Sequence, residues 1–255
     1  MTSEEPLYRR IADDLRAQIV SGERAPGSQL PAESDLAARY DTTRQTVRNA
    51  LGVLRTDGLI VTGQGSRTIV RPAPGVRISV TGTNYRRHRA LGLPGFNAQV
   101  LEQGQSPRQD ITEVATVSAP PDIAQKLDLD EGSPVVVRRR VFNANDVPVA
   151  LTDSYYPADI AQGTAIEQPA RIKGGVHALI EDDNGPIRRA IARSEDDLVA
   201  RMPTPDEARK LALSPSMPVI RTLRTVYDAG NRPLEVQDTV AVADKHQFRY
   251  EVDMR

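Results

Sequence analysis

Residues 42–54 read TTRQTVRNALGVL, and the fold turns on how this stretch is placed. Around a helix, at about 100° per residue, Arg44, Arg48 and Arg55 fall in one narrow stripe. Val47, Ala50, Leu51 and Leu54 form the neighbouring face. The apolar face packs and the stripe reaches outward. A solvated helix face would carry the same arginine spacing, so the flanking segments must say what the stripe is for.

Upstream, PLYRRIADDLRAQIVS (residues 6–21) sets Leu7, Ile11, Leu15 and Ile19 at steps of four, with Ala12 and Val20 beside them. This is an amphipathic helix, with Pro6 suited to its first turn and Gly22 to its end. PAESDLAARY (31–40) makes a shorter second helix with Leu36, Ala37 and Tyr40 inward, and the third runs from Thr43 to Asp57 and closes at Gly58. LIVTGQGSRTIV (59–70) then reads as two short strands, Leu59–Thr62 and Arg67–Val70, around a turn at Gly63, Gln64, Gly65 and Ser66. Three helices and a hairpin make a winged helix-turn-helix, whose third helix lies across the second as a recognition helix. Its N-terminal residues Thr43, Arg44, Gln45, Thr46 and Arg48 are then the ones offered to DNA, where Arg pairs bidentately with guanine and hydroxyls meet phosphate. Between Thr42 and Arg71 there are five Arg and one Asp, a balance of +4 where phosphates would lie.

The 255 residues suffice for two small domains. With no cysteine, neither disulfides nor thiolate metal sites are available. The net charge of −1 is silent about partners, but its distribution is not: Gly58 to Leu101 holds no acid, against Arg67, Arg71, Arg77, Arg86, Arg87 and Arg89. No apolar run approaches membrane-spanning length and MTSEEPLYRR has no signal-peptide core, so a cytoplasmic protein without a membrane partner is expected. The EDD runs at 181–183 and 195–197 are expected on solvated faces rather than around a metal.

RPAPGVRISVTGTN (71–84) has two Pro, two Gly and little periodicity. The expected organisation is a DNA-binding domain over 1–71, a linker over 72–84 and a second domain over 85–255. The second domain contains a duplication. PDIAQKLDLDEGSPVVVRRRV from Pro121 aligns with PDEARKLALSPSMPVIRTLRT from Pro205 at an offset of 84, pairing Lys126 with Lys210 and Arg140 with Arg224. After one inserted residue, NDVPVALTD aligns with GNRPLEVQD. Each copy reads as a helix and a long hairpin that cannot cover its own apolar face, so two copies side by side are expected to form an antiparallel sheet of about six strands with helices on one face. Segments 95–103 and 173–184 are expected to be further helices.

Residues 8–70, with G…PGSQLPAE, TRQTVR.AL..L…GL and the wing GQGSRT, resemble the DNA-binding domain of GntR-family bacterial transcription regulators. The resemblance implies contacts to DNA from Thr43, Arg44, Thr46 and Arg48, and from Gln64 and Gly65 at the wing tip. DIAQKLDLDEGSPVVVRRR, VPVALTDSYYP and RPLEVQDTVAVADKHQFRYEV resemble the effector-binding UTRA domain of the HutC-like branch, an α+β fold related to chorismate lyase. This implies a homodimer formed through this domain and a small-molecule effector between the sheet and the helices, often a sugar phosphate or another anionic metabolite; no cofactor and no metal are expected. By position it implicates Arg140, with Arg138 on the same strand face, then Ser154, Tyr156, Glu235, and the helix start at Gly95, Phe96 and Asn97. Phe142 stands where relatives often have a second Arg, and Val242 and Ala243 stand where Tyr or Arg is common. These departures point away from a phosphorylated sugar and toward a less charged or more apolar effector.

An ion pair between Arg138 or Arg140 and Glu235 would be ordinary architecture and a competing use of the same residues. For the whole chain the leading expectation is a repressor released from its operator by an effector. A constitutive dimeric DNA-binding regulator stays open, and so does a lyase-like enzyme, although His88, His177 and His246 have no recognisable spacing with a partner base.

Overall fold

The computed structural model describes residues 5–62, 67–72, 75–80, 87–88, 91–213 and 217–250. The chain divides into two compact units, Met1–Gly75 and Val76–Arg255. In the first, helices α1 (Leu7–Val20), α2 (Glu33–Arg39) and α3 (Arg44–Thr56) are followed by strands β1 (Ile60–Thr62) and β2 (Thr68–Val70), which pair antiparallel. Gln29 bridges to Ile69 beside this hairpin. The α3 seam is buried as its spacing requires: Val47, Ala50, Leu51 and Leu54 are at most 2% exposed and pack with Ile11, Leu15, Leu36, Ile60 and Val70. Each large apolar side chain so buried contributes about 1.5–3 kcal/mol relative to exposure. Between α2 and α3, Asp41 has φ +46°, a left-handed conformation that Asp tolerates better than most non-glycine residues. Gln64 and Gly65 lie outside the described residues.

The second unit begins with β3 (Val76–Val80), α4 (Gly95–Glu102), β4 (Pro107–Ser118), α5 (Pro121–Leu127), β5 (Pro134–Ala144) and β6 (Val147–Pro157). Short helices α6 (Ala158–Ala161) and α7 (Val176–Ile180) flank a turn at Ala165–Glu167. Then come β7 (Ile191–Arg201), α8 (Pro205–Lys210), β8 (Val219–Asp228), β9 (Pro233–Val242) and β10 (His246–Tyr250). Six strands form one antiparallel sheet in the order β4-β5-β6-β9-β8-β7. The duplication accounts for that order, because strand, helix, strand, strand recurs as β4-α5-β5-β6 and β7-α8-β8-β9, and the copies meet at β6 and β9. Their central pair is Asp153 opposite Asp238, the same aspartate in the two repeats.

Helices lie on one sheet face as expected, with α5 packed on Val135, Val137, Tyr155 and Val236. The opposite face is covered as well, which the repeat did not foretell. There Ile160, Ala161, Ile166 and Ile180 pack on Val136, Tyr156 and Leu234. Part of the stretch expected as linker is built into this unit: β3 pairs in parallel with β10, from Val76 opposite His246 to Val80 opposite Tyr250. The run Glu195–Asp197 lies in β7, where Glu195 and Asp197 are exposed as expected, beside Arg193 and Lys126, while Asp196 alone turns inward to pair with Arg224.

Candidate functional site

Two sites follow from these folds, one in each unit. In the first, the N-terminus of α3 is capped by Thr43, whose Oγ1 accepts from the Thr46 amide at 3.2 Å and lies 3.0 Å from the Thr46 hydroxyl. Arg44 and Gln45 follow on the exposed side, and Gln45 Nε2 donates to Asn49 Oδ1 at 3.1 Å. Arg44 has no side-chain hydrogen bond or ion pair among the described residues. Arg48 is also exposed, but its Nε donates to Glu33 Oε2 of α2 at 2.7 Å. The structure thus brings Thr43, Arg44, Gln45, Thr46 and Arg48 to one helix end, on the side away from the buried seam. Arg71 turns back on its own unit, with its Nε donating to the Gly58 carbonyl.

In the second unit, Arg138, Arg140, Ser154 and Tyr156 share one sheet face, since they alternate along β5 and β6, where Arg138 pairs with Ser154. Gln237, opposite Ser154 on β9, brings Glu235 to the same face. Arg140 is half-buried. Its Nη2 donates to Ser154 Oγ at 2.5 Å, its Nη1 to Gln109 Oε1 at 3.4 Å, and its guanidinium lies 5.2 Å from the centre of the Phe142 ring. Gln109 Nε2 donates in turn to Asn97 Oδ1 at 2.7 Å, and Phe96 stacks at a tilt on Phe142 with ring centres 4.6 Å apart. The start of α4 is therefore joined to Arg140 through Gln109, a residue that nothing in the sequence singles out. Beside this network, an open cleft of about 290 Å³ is lined by Gln109, Asp110, Ile111, Pro169 and Arg171.

Neither arginine forms an ion pair with Glu235. Arg138 is buried, and it donates to the backbone carbonyls of Ile166 (2.7 Å), Gln168 (2.6 Å) and Ala170 (2.9 Å). It anchors the segment covering the sheet. Glu235 is completely buried and accepts from Tyr156 Oη at 2.6 Å and Gln237 Nε2 at 3.0 Å, with His177 Nε2 at 2.6 Å. Burial pushes the Glu235 carboxyl up, but the charge and hydrogen bond of His177, aided by Tyr156 and Arg140, outweigh it and bring it down to about 2. Burial and the adjacent Glu235 push the Tyr156 phenol well above its usual range. His177 was missed because its partner is 58 positions away, with no motif to link them.

Comparison with known proteins follows the same division. Residues 7–70 match the gntR family of bacterial regulatory proteins, and residues 102–247 match the UTRA domain. The chain is 31% identical over 257 residues to the uncharacterised HTH-type transcriptional regulator SCO4628 of Streptomyces coelicolor, covering 98% of this chain and 94% of that one. It is 27% identical to the HTH-type transcriptional repressor NagR of Bacillus subtilis, covering 97% and 95%. The crystal structure of PhnF from Mycobacterium smegmatis, 22% identical, superposes over 96% of this chain and 100% of that chain with a TM-score of 0.60, a likeness of fold. A head with the gntR pattern, a duplicated sheet matching UTRA and a full-length regulator at this identity lead to one assignment: the chain belongs to the GntR family of bacterial regulatory proteins and is a DNA-binding transcriptional regulator carrying a UTRA effector domain.

Proposed function

We propose that the protein is a cytoplasmic repressor that binds a two-fold operator as a homodimer and leaves it when a small molecule occupies the cleft above Arg140. The observation that carries this reading is the state of Arg140. It is a half-buried guanidinium with neutral partners and no salt bridge among the described residues, next to an open cleft. A charge held this way favours an acceptor brought from outside. Arg140, Ser154, Phe96 and Asn97 are its proposed surroundings, with the Tyr156–Glu235 pair on the same face. Arg138 contributes by holding the covering segment in place. On the DNA side, Arg44 and Arg48 read base edges, while Thr43, Gln45 and Thr46 position the helix, supported by the wing residues Gln64 and Gly65.

Repression as the output is supported by the likeness to NagR, which is named a repressor. Release follows from linkage: an effector that prefers the conformation with the weaker grip on DNA must lower operator affinity by the same factor by which DNA lowers effector affinity. The test is a metabolite screen by thermal shift on the full chain, followed by an operator gel shift with each hit. A hit that stabilises the protein and weakens operator binding, with the reciprocal loss when DNA is added first, agrees with the reading. Stabilising hits that all leave operator affinity unchanged would leave a constitutive DNA-binding protein.

A further inference from the structure

The two repeats treat their equivalent arginines differently. Arg224 takes in the second repeat the place of Arg140 in the first. On the inner side their register partners are also equivalent, Gln237 for Arg224 and Thr152 for Arg140. On the outer side they diverge. Arg224 faces Asp196, and its Nε and Nη2 donate to the two carboxylate oxygens at 2.6 and 2.7 Å. Arg140 faces Ile111. Its Nη atoms reach Gln109 and Ser154, but its Nε is buried with no hydrogen-bond partner among the described residues. A buried N–H without an acceptor keeps the desolvation penalty that a hydrogen bond would offset. The first repeat therefore leaves the Nε of this edge without an acceptor from its own strands, while the second closes the same edge with a planar monoanion.

We propose that the effector is a small carboxylic acid whose carboxylate takes in the first repeat the position that the Asp196 side chain takes in the second. It lies in the plane of the Arg140 guanidinium and accepts from Nε and from the second hydrogen of Nη2, whose first goes to Ser154. Ile111, half-buried and bordering the cleft, turns aside to admit it, and the rest of the molecule lies in the cleft toward Arg171. Arg138 has its donors engaged by three carbonyls and Arg171 shares the cleft lining with Asp110, so among the described residues of this face Arg140 offers the one open planar donor edge, the complement of a single carboxylate. This inference rests on the cleft being the effector site and names the class of its ligand.

The test follows the Nε–H signal of Arg140 in ¹H–¹⁵N spectra of the full chain, assigned by its loss in Arg140→Lys, during titration with acetate or inorganic phosphate. Acetate should move this signal saturably toward the position of the Arg224 Nε–H, and phosphate at equal concentration should leave it in place. Ile111→Ala removes the cover and should tighten acetate binding several-fold. Ile111→Asp supplies an internal carboxylate and should place the signal at the shifted position with no further response. A signal that phosphate moves more readily than acetate, or that neither moves in the wild type and in Ile111→Ala, overturns the proposal, whether or not Ile111→Asp folds. Acetate binding at Arg140 by which operator affinity is unaffected would uphold the carboxylate site and count against effector-driven release instead.

Discussion

His177 Nε2 lies 2.6 Å from Glu235 Oε2, in a place where the carboxylate has no exposure to solvent. The other oxygen accepts from Tyr156 Oη at 2.6 Å, so the segment around α7 is fastened by one buried acid to β6 and β9. Such a group is strongly destabilising to strip of its partners, because the charge stays behind without compensation.

This fastening sets a pH dependence. The Glu235 carboxyl sits at about 2 in the folded protein against an ordinary 4.5. A depressed pKa contributes stability that is complete above the unfolded value and fades as pH falls toward the folded one, here from about 4.5 to about 2. At 1.36 kcal/mol per unit the contribution is on the order of 3 kcal/mol. Glu235→Gln should therefore lower the stability of the UTRA unit by about 3 kcal/mol at neutral pH, and the gap to wild type should narrow below pH about 4.5. Thermal unfolding followed across that range checks both statements; a gap independent of pH would assign the loss to packing.

Arg138 and Arg140, two positions apart on one strand face, should separate by assay. Arg138→Met leaves the Ile166, Gln168 and Ala170 carbonyls without their donor and should cost about 3 kcal/mol of stability. Arg140→Met should leave the melting temperature close to wild type and abolish the thermal shift produced by effector hits. Equal destabilisation by the two variants would contradict the division of roles.

The recognition helix makes its own demands. Arg44→Ala should reduce operator preference over random DNA by about 1–3 kcal/mol, provided the contact is bidentate to a base. Arg48 begins from a surface ion pair with Glu33, a link worth at most about 1 kcal/mol. Glu33→Ala should hardly change stability and should not weaken operator binding. Competition gel shifts measure the first effect, and a loss of operator affinity in Glu33→Ala would mean that the pair orients Arg48 for DNA.

Salt dependence distinguishes the two arginines near the boundary between the units. Arg71 is tied to the Gly58 carbonyl, whereas the Arg77 side chain is exposed on β3. If Arg77 meets a phosphate, Arg77→Ala should lower the slope of log affinity against log salt by about 1. Arg71→Ala should instead lower the melting temperature of the head. An unchanged slope in Arg77→Ala would place that residue away from the backbone of the duplex.

What the sequence revealed and what it concealed divide along physical lines. The α3 seam and the two repeats were legible because helical periodicity and duplication are local signals, read within a few turns or by sliding the chain on itself. The pairing of Val76–Val80 with His246–Tyr250 was not, since a parallel pair between distant segments leaves no turn or spacing behind. Nor could alternation alone tell Arg138 from Arg140. Both point to one face, and only the backbone of residues 166–170 decides which is anchored. His177 escaped for the same reason, as its role depends on a cover of short irregular turns with no periodicity.

The parallel ribbon of β3 and β10 also takes Val76–Val80 out of the free chain that follows the DNA-binding unit. Five residues directly after the boundary at Gly75 are clamped to the last strand. Cutting the chain before His246 would release them, adding about 17 Å of extended leash to each head. If the protein binds as the proposed homodimer, half-sites set farther apart should then become acceptable.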